Sequence, residues 1–269
     1  MSGAWTTFKR ELASYLRSPV GYVIAFLLYL LRGFEVDRLL RLTAAYGIDR
    51  ERFATAYLMQ NSSLMLLILV PAVLTMRVFA EERRSGSLEV LLTAPVRDGA
   101  VVLGKWGASF AFFALLWAPA FVLLAWFQDT SYLGTSLTWG PILTGLLGML
   151  LVGALLLAAG CFTSSLTDNQ LLASLSAMLF AWVALYGPSQ FRAPPVADDG
   201  VGATGLDAAW RWLDAQVIRP VLDDVNVADH LQSWFLRGIV NSAHVVFYVA
   251  GTAALLFLTT RSLEARRWR

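Results

Sequence analysis

Six apolar runs, each bounded by charged or turn-forming residues, constrain this chain more than any other feature. The fullest, residues 139–162, reads WGPILTGLLGMLLVGALLLAAGCF and carries no charged side chain. A helix needs about 20 apolar residues to cross a hydrocarbon core. Backbone inside lipid must satisfy its own hydrogen bonds, and a helix does so within one segment. The other runs lie at about 19–34, 60–79, 106–127, 170–186 and 239–259. Charged residues make up only 15% of the chain, against about a quarter in a soluble domain. The mean hydropathy is +0.60. These observations predict an all-α, polytopic membrane protein with six transmembrane helices.

The runs differ in kind. Gly140, Gly145, Gly148, Gly153 and Gly160 punctuate the fourth, and small residues let helices approach closely in lipid. Pro71 and Pro119 stand inside the second and third, where neighbouring helices make such kinks tolerable. The fifth is short. The first is the weakest, because only thirteen residues, Pro19 to Leu31, run before Arg32. Arg32 then either snorkels outward or is shielded by neighbouring helices. No charged residue falls in the middle of the second to sixth runs.

Ahead of the first run, Trp5, Phe8, Leu12, Tyr15 and Leu16 recur at steps of three and four, while Lys9, Arg10 and Glu11 face elsewhere. This spacing predicts an amphipathic helix over residues 1–18 lying in the membrane interface. Ser18-Pro19 marks the break to the next helix. No small-residue cleavage site follows the first run, so it reads as a retained anchor. With both termini cytoplasmic, the inner segments hold 12 basic and 7 acidic residues, the outer segments 9 and 12. That bias agrees with the positive-inside rule, although Arg32, Arg38, Arg41, Arg50 and Arg52 dilute it. Residues 187–238 form the expected extracytoplasmic loop. Its Pro- and Gly-rich first part is irregular, and Leu206, Trp210, Leu213, Val217 and Ile218 suggest a short amphipathic helix after it. The whole chain, 1–269, reads as one transmembrane domain.

Several chemistries are excluded or weakened. One cysteine, Cys161, rules out an intrachain disulfide, and His230 and His244 leave little for a metal site. A net charge of +2 gives no footprint for nucleic acid. Residues 99–105, GAVVLGK, match a phosphate-binding loop in part. Trp106 stands where Ser or Thr would hold Mg²⁺, and no strand precedes, so Lys105 reads as an anchor at the inner end of the third span. Ser164, Ser165 and Asp168 cluster without a histidine nearby in sequence, so they read as a polar turn, with Thr167 and Asp168 capping the fifth helix. His244, near one end of the sixth run, is either a proton-relay group or a neutral, hydrogen-bonded side chain.

One polar island remains. Residues 80–96 read AEERRSGSLEVLLTAPV, with five charges between two spans. Glu81 to Arg84 extend the second helix past the membrane. Ser85-Gly86-Ser87 breaks it. Leu88 to Leu92 form about one further turn, ended by Pro95. Leu88, Leu91 and Leu92 share a face and Glu89 points away. Two readings stay open from the residues alone: a solvated hairpin, or a short helix built to sit in a partner's groove.

The stretch MRVFAEERRSGSLEVLLTAPV followed by VVLGKW resembles the corresponding segment of ABC-transporter permeases of the type-2 exporter class, closest to the gliding-motility-type subgroup. GCFTSSLTDNQLLASLSA at 160–177, HLQSWFLRGIV at 230–240 and the ending LFLTTRSLEARRW agree with it. The resemblance implies a permease subunit without ATPase activity in the bacterial cytoplasmic (inner) membrane. It binds no cofactor itself; ATP and Mg²⁺ sit on a separate ATP-binding cassette subunit. It implies that 80–98 is a cytoplasmic coupling segment, with Glu81, Glu82, Arg83, Arg84, Ser85, Gly86, Ser87, Leu88, Glu89, Leu91, Leu92 and Pro95 forming the contact. It implies a homodimer, or a pair with a related permease, and leaves room for an accessory membrane protein with a periplasmic domain. An alternative is a membrane anchor or assembly component of an ATPase-powered motility or envelope machine without small-molecule cargo. An ion-coupled carrier ranks behind both, for want of charges deep in the spans.

Overall fold

A computed structural model describes residues 2–46, 56–84, 86, 97–129, 139–190, 212–213, 216 and 225–267. Nine helices carry the argument: α1 (Ser2–Arg17), α2 (Pro19–Tyr46), α3 (Asn61–Thr75), α4 (Ala80–Arg84), α5 (Asp98–Asp129), α6 (Trp139–Leu166), α7 (Gln170–Gln190), α8 (Val227–Ser233) and α9 (Ser242–Arg267). Among the described residues there is no strand. Six stretches are long and apolar enough to cross a membrane: Pro19–Ala45, Ser62–Arg84, Asp98–Trp126, Trp139–Leu166, Gln170–Pro188 and Ser242–Ala265. The expected all-α, six-span architecture is therefore present. Of the helix suggested around residues 206–218, all but three positions lie outside the described residues.

Two spans sit at the centre and four around them. The second and fourth bury most of their length, whereas the first and last leave broad apolar faces outward. In lipid, apolar surface gains little by hiding, so close packing and interhelical polar contacts must hold the bundle. The glycines of α6 do this. A Cβ on Gly153 would collide with the Phe113 ring of α5, and one on Gly160 would collide with Thr75 of α3. A Cβ on Gly148 would stand 2.7 Å from Phe235. Each glycine thus sets the distance to a different neighbour. Pro71 and Pro119 both lie inside helices, as expected.

The first span departs from expectation. α2 continues to Tyr46, so Arg32 lies inside the helix rather than at its end. After Gly21, its buried positions are Leu28, Arg32, Glu35 and Leu39, at steps of four, three and four, which is one helical face. Arg32 is shielded, not snorkelling. Its Nη1 donates to Glu35 Oε2 at 2.9 Å, to the Tyr57 carbonyl at 2.9 Å and to Ser63 Oγ. Its guanidinium lies 4.7 Å from the Tyr57 ring centre and 4.4 Å from that of Trp117. An intrahelical ion pair between two aromatic rings lets a charged pair occupy a span. The sequence could not show this, because the partners come from three helical segments.

Candidate functional site

α1, the last turns of α9, and the described residues 80–84 and 97–98 lie at one end of the bundle. Gly104 of α5 meets α1, and Gly99 meets Thr260 near the end of α9. There α1 packs along α5 rather than lying free. Its apolar stripe divides: Leu12 and Tyr15 turn to the core, while Trp5 and Leu16 stay exposed. The Tyr15 hydroxyl donates to the Leu74 carbonyl at 2.8 Å and lies 2.9 Å from Ser109 Oγ. One tyrosine therefore ties α1 to both α3 and α5.

The short helix α4, AEERR, sits in the middle of this face. Its acids occupy the first turn and its bases the last, which complements the helix dipole. Its first free amides are capped from another helix. The Phe79 and Ala80 N–H groups donate to Ser164 Oγ at 3.2 and 3.1 Å. Gly86 ends the segment with φ +73°, a left-handed conformation that glycine adopts without strain. Its N–H donates to the Arg83 carbonyl at 3.2 Å.

Two ionic clamps fix α4 from opposite sides. On one side Glu82 Oε1 accepts from Lys105 Nζ at 2.8 Å, and Lys105 also donates to Glu11 Oε1 at 2.9 Å. Arg10 Nη2 stands 3.1 Å from that Glu11 oxygen and 3.7 Å from Glu82 Oε1. Two carboxylates and two cations make a neutral cluster joining α1, α4 and α5. Lys105 is 2% exposed and lies 5.6 Å from the Phe79 ring centre. Burial pushes the Glu11 carboxyl up, but Lys105 and Arg10 outweigh it and hold the group below the usual range. On the other side Arg83 donates to the Ser165 carbonyl at 3.0 Å and pairs with Asp168. α4 is therefore bolted to α1 and α5 through Glu82, and to the α6–α7 turn through Arg83.

This geometry sorts the twelve residues expected to form a contact. Glu82 and Arg83 are engaged within the chain. Glu81, Arg84 and Gly86 are exposed. Ser85, Ser87, Leu88, Glu89, Leu91, Leu92 and Pro95 lie outside the described residues. Three residues that sequence reasoning set aside belong to the site. Lys105 is the hub of a clamp two turns inside α5, which begins at Asp98 rather than near 106. Glu11 is its second partner. Ser164 is the remote cap. A lone lysine in an apolar helix needs counter-ions, and that signal could have pointed to Glu11 and Glu82. Asp168 does not cap α7; Arg83 recruits it. Asn169 Oδ1 accepts the Leu171 N–H at 2.9 Å instead. Residues 99–105 are turns of α5, so their amides serve the helix and cradle no phosphate.

At the other end the two histidines meet. His230 of α8 packs against His244 of α9 with ring centres 3.8 Å apart and planes tilted by 32°, and His230 Nδ1 lies 3.1 Å from the Tyr248 hydroxyl. His244 thus packs on a ring, and its Nε2 has no hydrogen-bond partner among the described residues. Among the described residues no group of three or more His, Cys, Asp and Glu side chains could hold one.

A family profile described as ABC-2 family transporter protein matches residues 46–199, more than half of the chain. The match takes in α3 to α7, and with them α4 and both residues of the Arg83–Asp168 clamp. A search of curated proteins finds no match. Six apolar helices and this match agree: the chain belongs to the ABC-2 transporter family, as a membrane permease subunit of an ABC transporter and not its ATPase.

Proposed function

We propose that the termini face is cytoplasmic and that residues 80–98 dock on a separate ATP-binding subunit, which carries ATP and Mg²⁺. The observation that carries this reading is the double clamp on α4. A short exposed helix transmits force only if it cannot pivot at its base. Here Glu82 ties it to α1 and α5, and Arg83 to the α6–α7 turn. A push on the 80–98 segment therefore moves three spans together. Glu81 and Arg84 point outward and would supply charge complementarity. Gly86, in a left-handed conformation, is the last described residue before Arg97, and in this reading Leu88, Leu91 and Leu92 would pack on the subunit. Two such chains, or one with a related permease, would form a bundle of twelve spans in a bacterial inner membrane. The gliding-motility-type subgroup is the finer assignment we favour, on the sequence resemblance. In that setting an accessory protein with a periplasmic domain is a further partner.

The test uses the permease purified with its ATP-binding subunit. Reversing the exposed charges, Glu81→Arg with Arg84→Glu, leaves both internal clamps intact. We expect the permease to insert and melt normally but to lose copurification of the subunit or stimulation of its ATPase. Normal assembly and normal ATPase coupling in that variant and in Gly86→Pro would overturn the docking assignment.

A further inference from the structure

A pocket of about 300 Å³ opens between α1, the first turns of α2, the α3–α4 junction and α5. Its lining mixes two kinds of side chain. Val20, Ile24 and Val73, from the ends of spanning helices, are apolar. Ser14, Ser18, Arg77 and Glu81 are polar, and Glu11, Glu82 and Lys105 of the ionic cluster line it too. The pocket lies where the amphipathic α1 gives way to a span, next in sequence to the exposed Tyr22. Amphipathic aromatics mark the headgroup level of a bilayer. An occupant must therefore be amphipathic and enter from the membrane surface.

Charge selects among lipids. Arg77, in the turn between α3 and α4, and Glu81, in α4, both line the pocket. Their own contact is loose, with Nε to Oε2 at 4.0 Å and both side chains about half exposed. Such a pair contributes little to the fold, so a ligand can intervene at small cost. A headgroup with a phosphate and a primary ammonium offers each of the two a partner, phosphate to Arg77 and ammonium to Glu81. A choline headgroup has no N–H to donate. A headgroup with phosphate alone would meet Arg77 and Lys105 but bring nothing to offset Glu11, Glu81 and Glu82, three carboxylates against two cations.

We propose that this pocket binds the headgroup of an aminophospholipid, such as phosphatidylethanolamine, as a resident lipid wedged between α1 and α4. Glu81 belongs to the proposed docking face as well, so the two readings are separated by their readouts, lipid retention here and subunit copurification there, and by Arg77→Gln and Ser14→Trp, which lie outside residues 80–98. The full-length permease would be equilibrated in detergent with equal amounts of phosphatidylethanolamine, phosphatidylcholine and phosphatidylglycerol, then weighed by native mass spectrometry. Phosphatidylethanolamine should be retained about tenfold over the others, the effect of one charge-assisted hydrogen bond. Glu81→Gln and Arg77→Gln should each bring it down to the phosphatidylcholine level with unchanged melting temperatures. Ser14→Trp, which fills the pocket from the exposed side of α1, should do the same. Equal retention of the three lipids by the wild type, or wild-type retention by these variants, would overturn the proposal. Displacement of the lipid by an equal concentration of glycerophosphoethanolamine would also overturn it, by showing a site for a soluble headgroup.

Discussion

Lys105→Met removes a buried ammonium while keeping most of the side-chain volume. Two carboxylates are left behind, Glu11 and Glu82, each of which had its oxygen within 2.9 Å of that nitrogen. Removing one partner of a buried ion pair costs about 3–5 kcal/mol. Two features lower the figure here. The glutamate side chains are about one-fifth exposed, and Arg10 remains 3.1 and 3.7 Å from the same oxygens. A loss of about 2–3 kcal/mol follows, or roughly 5–10 °C in melting temperature for a domain of this size. Differential scanning fluorimetry on the purified protein would read it. The double variant Lys105→Met/Glu82→Gln should lose less than the sum of the singles, by at least about 1 kcal/mol, because both act on one contact. A Lys105→Met protein melting within a degree of the wild type, or strictly additive singles, would refute the clamp.

Three other outcomes follow from the same coordinates. Glu11 is held below its ordinary pKa, so its stabilisation is complete above that value and is lost as the pH falls through the lowered one. Melting temperature should be flat from about pH 8 to 5 and fall below about pH 4.3, with Glu11→Gln flattening part of that fall. Gly160→Ala drives a methyl into Thr75 and should cost about 1–3 kcal/mol by overpacking, with Thr75→Ala in the same chain recovering part of it. Arg32→Met strands Glu35 and should cost about 3–5 kcal/mol, whereas Arg32→Met/Glu35→Met should regain most of the loss. Both pairs are read by the same melting experiment.

The helices were legible because a membrane span writes itself as a long apolar run, and the glycines of the fourth run announced its close contacts. Boundaries were less legible wherever a charge found a partner distant in sequence. Arg32 looked like the end of a span because Tyr57, Ser63 and Trp117 could not be seen beside it. Lys105 looked like a surface anchor because Glu11 is 94 residues away along the chain. Glu82 and Arg83 gave no sign of their internal partners for the same reason; their charges also bind inside the chain. Local chemistry misled at Asp168, a good cap by type, whose carboxylate Arg83 takes while Asn169 does the capping. The meeting of His230 and His244 leaves no periodic trace at all.

The account rests on residues 80–98 as the meeting place with an ATP-binding subunit. A photo-crosslinking amino acid at Leu88 or Leu91, in the complex purified with that subunit, tests it most directly. The account predicts a covalent adduct with the ATP-binding subunit from both positions and none from Trp139, which begins α6 at the opposite end of the bundle. An intact complex giving no adduct from positions 88 and 91, or equal adducts from Trp139, would contradict it.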